Sequence, residues 1–549
     1  MKTTTITMML FLGFLLGSCE TTDNTILEEE QLSIDNLEEL WTEIQADLPR
    51  FVELTEHIGS KATRVEYMIF SYERAFGNER PPNIEFNKNA WESAYNNLLP
   101  NLDIAKAIAT QNEERKYLGV INVLYSYVLM KMVDYYGDII FTDLASNRPT
   151  LDSGEFIYDE AIRMLNEAIE NFNEAGDDLA TDYYYNNDFN KWIKLANTLK
   201  MEAHLNMRLV DPDAISKFNS IVQSGQFISE INDAFEYRYG SGLITADPIH
   251  PNYDKNYARH ISDYQSNWLM HKMMELNDPR LRFYFYRQIN CTPGATSTNG
   301  EFCEPREDRM RCSIQNRPGH YMPYMTFCGL DNGYWGRDHG NEDGIPPDGF
   351  FRTAPGIYPI GGKFDGEELT PFELNTGGSG LGITPIMLSS YVEFMRVEVA
   401  LLNNELNTAK ILLESGIRKS IDKVIPFANL DPDANLSVVP TTNDIDSFIS
   451  NRINEFSNAN ETDRWNILSE QLFIAHYGNG TAAYNAYRRT GFPNNIQFHV
   501  DPNVGPFIRS LYYPSEVVNA NPNIDQKPNV AVQVFWDTNP PFPNFPYSN

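Results

Sequence analysis

Apolar residues recur every three or four positions over much of the first half of the chain, which is the spacing of one face of an α-helix. The runs with this spacing, each predicted to be an amphipathic helix, are Leu37 to Leu48, Trp91 to Leu102, Leu118 to Val133, Ile157 to Phe172 and Trp192 to Leu209. Asp188 and Asn190 are suited to cap the last of these, and Asp211-Pro212 ends it. Short connections between long amphipathic helices predict antiparallel helix pairs.

The pattern changes between residues 278 and 382, where Gly, Pro, Asn and Asp become frequent and the helical spacing disappears. We interpret this block as a loop-rich insertion between two helical parts, residues 36–277 and 383–549. In the second part, the segments with helical spacing are Pro385 to Leu402, Thr408 to Ile421, Trp465 to Tyr477 and Ala482 to Arg489. The alternating, β-branched segment from Asn529 to Trp536 predicts one short strand.

Several helices carry half of a tetratricopeptide motif: a small residue, a large apolar residue four positions on, and a small residue three further, where neighbouring helices interlock. The segments that match it in full are Ala161–Leu165–Ala168 and Ala409–Leu413–Gly416, and a partial match is Ala214–Phe218–Ile221. The matches are irregularly spaced, which excludes a regular solenoid. The fold class predicted is therefore mostly α, built of tetratricopeptide-like helix pairs.

The N-terminus is typical of a bacterial lipoprotein precursor. Lys2 precedes an apolar run from Ile6 to Leu16, about half the length that a bilayer-spanning helix needs, and Leu-Gly-Ser precedes Cys19. Small residues suit a signal peptidase, and the thiol of Cys19 can accept a diacylglyceryl group. We predict a signal peptide over residues 1–18, lipidation of Cys19, and a polar, flexible tether over residues 19–35.

The net charge of −32, from 75 acidic and 43 basic residues, argues against a nucleic acid partner, because phosphate backbones would repel the chain. No later segment is apolar for 18 residues, so contact with the membrane is expected through the lipid anchor alone. Aromatic residues make up 13% of the chain, enough to supply platforms for sugar rings or peptide side chains as well as core.

The other four cysteines lie close together in the loop-rich block, at Cys291, Cys303, Cys312 and Cys328. An even number in an exported chain predicts two disulfides, for which three connectivities are possible. The alternative, a zinc site, lacks a C-x2-C pair and a histidine at finger spacing.

One loop in this block combines the side chains that a sugar or peptide site needs. Tyr334, Trp335, Arg337 and Asp338 place two aromatic rings, a guanidinium and a carboxylate beside glycines, and we predict them as ligand-binding residues. The alternative is that Arg337 and Asp338 pair internally to order the loop, with Trp335 filling a local core.

The same loop contains a candidate calcium site, since oxygen-bearing side chains separated by glycines can wrap Ca²⁺. Its residues are Asp338, Asn341, Asp343 and Asp348. The spacing matches an EF-hand loop only in part, and turn or cap roles for these residues are the alternative. We expect no other cofactor.

Motifs of common enzymes are absent: there is no G-x-S-x-G, H-E-x-x-H, P-loop or strand-linked G-x-G-x-x-G. We therefore expect no catalysis, although a glycosidase carboxylate pair needs no local motif. Arg488-Arg489, beside Tyr484 and Tyr487, could form an anion clamp, or the basic and aromatic face of a packed helix; we favour the second interpretation.

In this order, several segments resemble the SusD/RagB family of nutrient-binding outer-membrane lipoproteins of Bacteroidota. They are YYGDIIFTDL (135–144) with IYDEAIRMLNEAIENF (157–172), KWIKLANTLKMEAHLNMRLVDP (191–212), GRDHGNEDGIPPDGFFRTAPGIYPIGGKFD (336–365), ITPIMLSSYVEFMRVEVALL (383–402), HYGNGTAAYNAYRRTGFP (476–493) and RSLYYP (509–514).

The resemblance implies a single SusD-like domain over residues 36–549, with the loop-rich insertion contributing to the ligand site. It implies a non-enzymatic protein on the outer face of the outer membrane. Such a protein captures oligosaccharides or peptides and acts as the lid of a SusC-like, TonB-dependent transporter. Two alternatives are a SusD-like structural subunit of an outer membrane assembly complex, and a secreted hydrolase.

Overall fold

The computed structural model describes residues 33–76, 86–240, 248–259, 263–291, 315–341, 352–541 and 544–545. The predicted signal peptide, Cys19 and nearly all of the predicted tether lie outside these residues. Most of the described chain is helical. The helices are α1 Ile34–Ala62, α2 Tyr72–Phe76, α3 Phe86–Glu92, α4 Leu99–Gln111, α5 Arg115–Tyr136, α6 Gly154–Asn173, α7 Phe189–Asn206, α8 Ala214–Ser224, α9 Pro251–Tyr253, α10 Asn267–Leu276, α11 Leu281–Tyr284, α12 Ser389–Leu402, α13 Leu406–Val424, α14 Thr442–Asn458, α15 Glu461–Ala475, α16 Gly480–Thr490 and α17 Ser515–Ala520.

The first helix, α1, is the longest, and it contains a proline that its neighbours accommodate. Ser33 begins it by accepting a hydrogen bond from the backbone N–H of Asn36. Pro49 cannot donate to the carbonyl of Gln45, one turn earlier. The hydroxyl of Tyr184 donates to that carbonyl instead, at 3.0 Å, so the helix continues across the proline.

Consecutive helices pack against each other as the half-motif predicts: α5 on α6, α6 on α7, α7 on α8 and α12 on α13. Ala161, Leu165 and Ala168 of α6 are all completely buried. On the facing helix, a Cβ at Gly119 would lie 2.4 Å from the ring of Phe172, so only glycine fits there. Small residues therefore set the closeness of this pair.

The described part of the chain contains two short antiparallel sheets, one that joins the two helical parts and one that lies within the loop-rich block. β1 (Phe235–Arg238) pairs with β4 (Ile383–Met387), and β2 (Phe285–Tyr286) pairs with β3 (Ala354–Pro355). The prediction of a helix from Pro385 is therefore wrong in its first residues. β4 is buried along its whole length, and such a continuous apolar run has no period that separates strand from helix.

The strand predicted over Asn529 to Trp536 is also wrong, because this segment forms turns. Its carbonyls serve other partners: Val530 accepts from the backbone N–H groups of both Arg509 and Ser510. Val530, Val534 and Trp536 are buried, so the alternation reflects which side faces the core rather than strand pairing.

α1 and α16 cross so closely that their backbones touch. A Cβ at Gly59 would lie 2.4 Å from the carbonyl oxygen of Gly480, and a Cβ at Gly480 would lie 2.1 Å from the amide nitrogen of Ser60. Glycine is thus required on both helices, and the crossing brings the first turn of α16 onto the side of α1.

Two of the four loop-block cysteines, Cys291 and Cys328, lie within the described residues, and both are disulfide-bonded. Cys303 and Cys312 lie outside them, so the number and connectivity of disulfides stay predictions.

Candidate binding cavity

A cavity of about 270 Å³ opens beside the α1–α16 crossing. Its walls come from α1, from segments on both sides of the loop-rich block, and from Pro355, Pro359 and Ile360 within that block. Three tyrosines line it, Tyr67, Tyr264 and Tyr477, and the ring centres of the first two lie 5.8 Å apart with planes that meet at 72°. Aromatic faces of this kind can hold a sugar ring or an apolar side chain.

The floor of the cavity is built by three side chains of α1. Glu53, Glu56 and His57 stand at positions i, i+3 and i+4, which share one face of a helix. Glu56 is almost completely buried. Its Oε2 accepts hydrogen bonds from the Ser60 hydroxyl at 2.7 Å and from the backbone N–H of Gly480 at 3.1 Å. A carboxylate at the first residue of α16 is favoured by the helix dipole.

Glu53 is held on one side only. Its Oε1 accepts from the Thr384 hydroxyl at 3.0 Å and lies 3.4 Å from Nε2 of His250. Its Oε2 accepts no hydrogen bond from the residues that the structure describes. Burial raises the pKa of Glu53 to about 8, against the opposing attraction of His57.

His57 lies between carboxylates. Its Nδ1 is 2.9 Å from both carboxylate oxygens of Glu66 and 3.2 Å from Oε1 of Glu56. Burial alone would lower the pKa of His57, but the negative charges of Glu66 and Glu56 outweigh it and raise that pKa to about 9. Burial alone would raise the pKa of Glu66, but the positive charges of His57 and Lys61 outweigh burial and lower that pKa.

Acidic and basic groups both line the cavity. Glu53, Glu56, Glu66 and Asp263 lie there with His57, Lys61 and Lys255. Because the pKa of Glu53 is raised to about 8, this carboxyl is mostly protonated near pH 7, and the remaining charges are close to balanced. The arrangement suits ligands that offer hydroxyl or other hydrogen-bonding groups.

All four residues of the predicted ligand-binding loop are buried, Tyr334, Trp335, Arg337 and Asp338. Trp335 is 0% exposed, and the carboxylate of Asp338 accepts from the side chains of Asn267 and Gln497 and from the backbone N–H of Cys328. These contacts are internal to the protein, and the burial of Trp335 matches the alternative interpretation in which it fills a local core. A direct role in ligand binding stays a prediction.

The loop nevertheless lies behind the cavity wall and positions its aromatic residues. The guanidinium of Arg337 is 4.2 Å from the ring centre of Tyr264, with that of Arg352 at 4.1 Å. The hydroxyl of Tyr67 donates to the carbonyl of Asn341. The loop therefore supports both tyrosines from outside the cavity.

The glycines of this loop allow close packing. A Cβ at Gly340, where φ is +78°, would lie 1.8 Å from the imidazole of His499, and a Cβ at Gly336 would lie 2.1 Å from the carbonyl oxygen of Gln265. The loop runs against residues 68 and 265 through backbone hydrogen bonds, Gly340 N–H to the Met68 carbonyl and Arg337 N–H to that of Gln265.

The candidate calcium residues divide between two regions. Asp338 and Asn341 are described and buried, whereas Asp343 and Asp348 lie outside the described residues. The three donors on Asp338 already occupy its carboxylate. The calcium site stays a prediction.

Arg488 and Arg489 belong to a packed helix face, which confirms the interpretation favoured from sequence. Arg488 is 0% exposed, and its guanidinium lies 3.9 Å from the ring centre of Tyr484 and 4.6 Å from that of Trp536. Arg489 forms two hydrogen bonds to the carboxylate of Glu398, at 2.6 and 2.7 Å.

Sequence reasoning missed the cavity floor. Its signal was present as Glu53-Leu-Thr-Glu56-His57, a spacing that places two carboxylates and an imidazole on one helical face. A search for paired histidines passes over this pattern. The contribution of His250, almost 200 residues further along, has no local signal.

The comparisons with known proteins decide the family. A family model described as "Starch-binding associating with outer membrane" matches residues 31–319, and one described as "Susd and RagB outer membrane lipoprotein" matches residues 383–534. The chain belongs to the SusD/RagB family. Members of this family are outer membrane proteins that bind nutrients, carbohydrates among them, rather than enzymes. Among curated protein sequences, none matches the chain.

Solved structures of SusD homologues share the fold. A SusD/RagB protein from Bacteroides thetaiotaomicron is 18% identical, with 91% of this chain and 98% of that chain covered and a TM-score of 0.65. A chitin-binding SusD homologue from Flavobacterium johnsoniae is 18% identical over 92% and 99% of the two chains, with a TM-score of 0.62. A further structure, named a chitin-binding protein, is 20% identical over 92% and 100%, with a TM-score of 0.65. At these identities, the likeness shows the fold alone.

Among the helices that the structure describes, none combines the length and the apolar character needed to cross a bilayer.

Proposed function

We propose that this SusD/RagB protein captures an oligosaccharide or peptide at the cell surface and delivers it to a SusC-like, TonB-dependent transporter. It acts as the lid of that transporter and neither makes nor breaks a bond. The observation that carries the proposal is the cavity with its tyrosine pair above a charged floor. A volume of about 270 Å³ is below that of most drug-sized sites, so one terminal sugar or one side chain enters while the rest of the ligand lies outside.

The lining of the cavity provides hydrogen-bonding groups of both charge types. Glu66 and Asp263 lie there with His57, Lys61 and Lys255, an arrangement suited to the hydroxyl and amide groups of sugars and peptides. The proposal therefore predicts binding of hydroxyl-bearing ligands over apolar ligands of the same size, whereas non-specific stacking would accept both.

The decisive experiment is a calorimetric titration of the protein lacking residues 1–19 against a glycan and peptide panel. We expect Tyr264→Ala to weaken binding about tenfold or more, because this side chain forms part of the cavity wall. Tyr324→Ala is the matched control, since Tyr324 is 54% exposed and does not line the cavity. Equal loss in both variants, or none in either, would remove the cavity from the proposal.

Trp335→Ala tests the loop prediction in the same titration. Loss of binding with an unchanged melting temperature would support a ligand role for Trp335. Unchanged ligand affinity would show that Trp335, which is fully buried, has a purely structural role.

The proposal also includes attachment of the protein to the membrane through a lipid. A lipid on Cys19, a tether over residues 19–35 and exposure at the outer face of the outer membrane fit a protein that swings over a barrel. Mass spectrometry of the N-terminal peptide and protease accessibility on whole cells test these points. An unmodified Cys19, or protection from protease in intact cells, would contradict them.

We further propose that the four loop-block cysteines form two disulfides, consistent with the disulfide-bonded state of Cys291 and Cys328. Peptide mapping without reduction identifies the pairs, and an unmodified thiol at Cys303 or Cys312 would contradict the scheme.

The two alternative functions give different results in two assays. Copurification with a SusC-like barrel supports uptake, whereas copurification with assembly factors supports a structural subunit. Product release from the glycan and peptide panel would support the hydrolase, whereas binding without turnover supports capture.

A further inference from the structure

The ligand atoms of Glu53, Glu56 and His57 lie within 4.8 Å of one another at the floor of the cavity. We propose that these three side chains bind a divalent transition-metal cation with the ligand preferences of Zn²⁺. This inference goes beyond the proposed function and does not depend on it, because the metal can be titrated with no nutrient present.

Each carboxylate has one oxygen fixed by the protein and the other turned toward the cluster. In Glu53, Oε1 is held by the Thr384 hydroxyl, and Oε2 points to the cluster. In Glu56, Oε2 is held by Ser60 and by the backbone N–H of Gly480, while Oε1 lies 3.2 Å from Nδ1 of His57. This division orients two anionic ligands in advance.

The imidazole is oriented in the same manner. Nδ1 of His57 lies 2.9 Å from the Glu66 carboxylate, and Nε2 faces Oε2 of Glu53 at 3.9 Å. A carboxylate on one ring nitrogen, with the other nitrogen turned toward the cation, is the usual arrangement at metal-binding histidines. Glu66 is therefore a positioning residue that fixes which nitrogen of His57 reaches the metal.

The observation that separates a cation site from a closed ion network is Oε2 of Glu53. Glu53 is only 7% exposed, yet this oxygen accepts no hydrogen bond from any described residue. A buried carboxylate oxygen without a partner is unfavourable. Placed on the side of the cavity, it is the atom that a bound cation would satisfy.

A second buried polar group supports the same position. His250 is 1% exposed, and its Nδ1 accepts from the backbone N–H of Asn252 at 3.1 Å, which leaves the ring proton on Nε2. Nε2 lies 3.4 Å from Oε1 of Glu53, and the backbone of Ile383 is a second acceptor for its proton. His250 is therefore placed as an outer donor that steadies a metal ligand.

The chemical types of the three ligand atoms favour zinc over calcium. Two carboxylate oxygens and one imidazole nitrogen match a three-ligand zinc site with an open fourth position, whereas Ca²⁺ takes six to eight oxygens. Zinc bonds of about 2.0–2.2 Å in a tetrahedron place ligand atoms roughly 3.3–3.6 Å apart. The 3.9 Å between Nε2 of His57 and Oε2 of Glu53 must shorten slightly, and Oε1 of Glu56, which lies beside Nδ1 of His57, must rotate toward Nε2.

The first test uses tag-free protein lacking residues 1–19, treated with a chelator and titrated with ZnCl₂ and, in parallel, CaCl₂. We expect one equivalent of Zn²⁺ to bind and Co²⁺ to give the absorption bands of a tetrahedral site. Failure of the wild-type protein to bind Zn²⁺, or binding of Ca²⁺ alone, would overturn the proposal.

The second test locates the site. Glu53→Gln and His57→Gln each remove a ligand, and we expect each to weaken zinc binding at least about tenfold, since changes in outer-layer partners alone cost that much. Glu43→Gln is the matched control, an exposed glutamate on the same helix, and should bind as the wild type does. Wild-type affinity in both cluster variants would place the zinc elsewhere and sink the idea.

Thermal melts establish that each variant is folded before titration. If either cluster variant does not fold, anomalous scattering at the zinc edge from wild-type crystals decides. A peak between Glu53, Glu56 and His57 supports the site, and a peak elsewhere, or none, overturns it. Failure of nutrient binding would leave all of these results unaffected, so the two proposals stand or fall separately.

Discussion

Two buried charged clusters lie at opposite ends of α16 and differ in how completely they are paired. In the scaffold cluster, Arg489 contacts both oxygens of Glu398, and Arg208 adds a contact at 3.2 Å. Burial raises the pKa of Glu398, but the two arginines outweigh it and lower that pKa. In the cavity cluster, Glu53 keeps one oxygen without a hydrogen bond among the described residues, and its pKa is raised to about 8.

The difference shows where the fold tolerates an incomplete polar network. The scaffold cluster fixes the position of α16 and leaves no atom of Glu398 for an outside group. The cavity cluster retains an unfavourable group next to an opening, which folding alone gives no reason to keep. An unsatisfied carboxylate at the floor of a cavity is therefore better explained by binding than by stability.

The largest expected effect is in the scaffold cluster. Arg489→Met would leave Glu398 buried with a single arginine, and we expect the free energy of unfolding to fall by about 3–5 kcal/mol in urea denaturation. Arg163→Met is the control, because Arg163 is half exposed and its pairs with Glu160 and Glu167 contribute less than about 1 kcal/mol. Similar losses in both variants would show that the scaffold pair is no better formed than a surface pair.

The second expected effect comes from the α1–α16 crossing, which links the two clusters. Gly59→Ala places a Cβ 2.4 Å from the backbone of Gly480, so α16 must shift, at a cost of about 2 kcal/mol. The shift also moves the N-terminus of α16 from Glu56, so ligand or metal affinity should fall with the melting temperature. Gly176→Ala, whose nearest contact would be an ordinary 3.5 Å, should change neither. A fully stable Gly59→Ala protein would contradict the close crossing.

A pH effect of similar size comes from the scaffold histidine His476, which stacks on Tyr391 at 3.8 Å. Burial lowers the pKa of His476 to about 3, whereas an unfolded histidine titrates near 6.5. The unfolded chain therefore takes up a proton first as pH falls. The contribution of neutral His476 to the free energy of unfolding is complete above about pH 6.5. It is lost as the pH falls further, by roughly 2 kcal/mol between pH 7 and 4.5.

His476→Phe keeps the stacked ring and removes the titration. We expect its stability to depend less on pH over this range than that of the wild type, in melts at pH 7 and 4.5. Parallel curves for the two proteins would show that His476 is not a source of the acid sensitivity.

The smallest expected effect is in the cavity cluster and differs in sign. Glu53→Gln replaces an incompletely paired carboxyl by a neutral amide of the same shape, so we expect the free energy of unfolding to stay within about 1 kcal/mol or to rise. Denaturation beside Arg489→Met makes the comparison direct. A loss of 3 kcal/mol or more would mean that Glu53 is a structural ion pair after all.

Helices were predictable from the sequence where burial on one side sets the spacing. Residues 118–133 and 157–172 lie inside α5 and α6, which extend only a few residues further. Strand β4 was not predictable in this way, because its partner β1 is distant in the chain and both faces of β4 are buried. α14 was missed although Ile445, Phe448 and Ile449 have helical spacing, since most of its residues are polar.

The candidate site shows a different limit. Trp335 and Arg337 were predicted to bind a ligand because aromatic rings and guanidinium groups are suited to binding sites. The same groups also pack loops internally, as the guanidinium of Arg337 does against the ring of Tyr264. The floor residues Glu53, Glu56 and His57 could have been found from their spacing. The groups that hold them, Gly480 and His250 among others, meet them only through the fold.

Glu56 has a consequence that reaches beyond the cavity. It supplies the negative charge at the first residue of α16, and α16 ends about 16 Å away at Arg489 and its partner Glu398. A ligand that drew Glu56 toward the cavity would weaken that capping contact. Because the two clusters are attached to the two ends of one helix, a displacement of its N-terminus would also act on the Arg489–Glu398 pair.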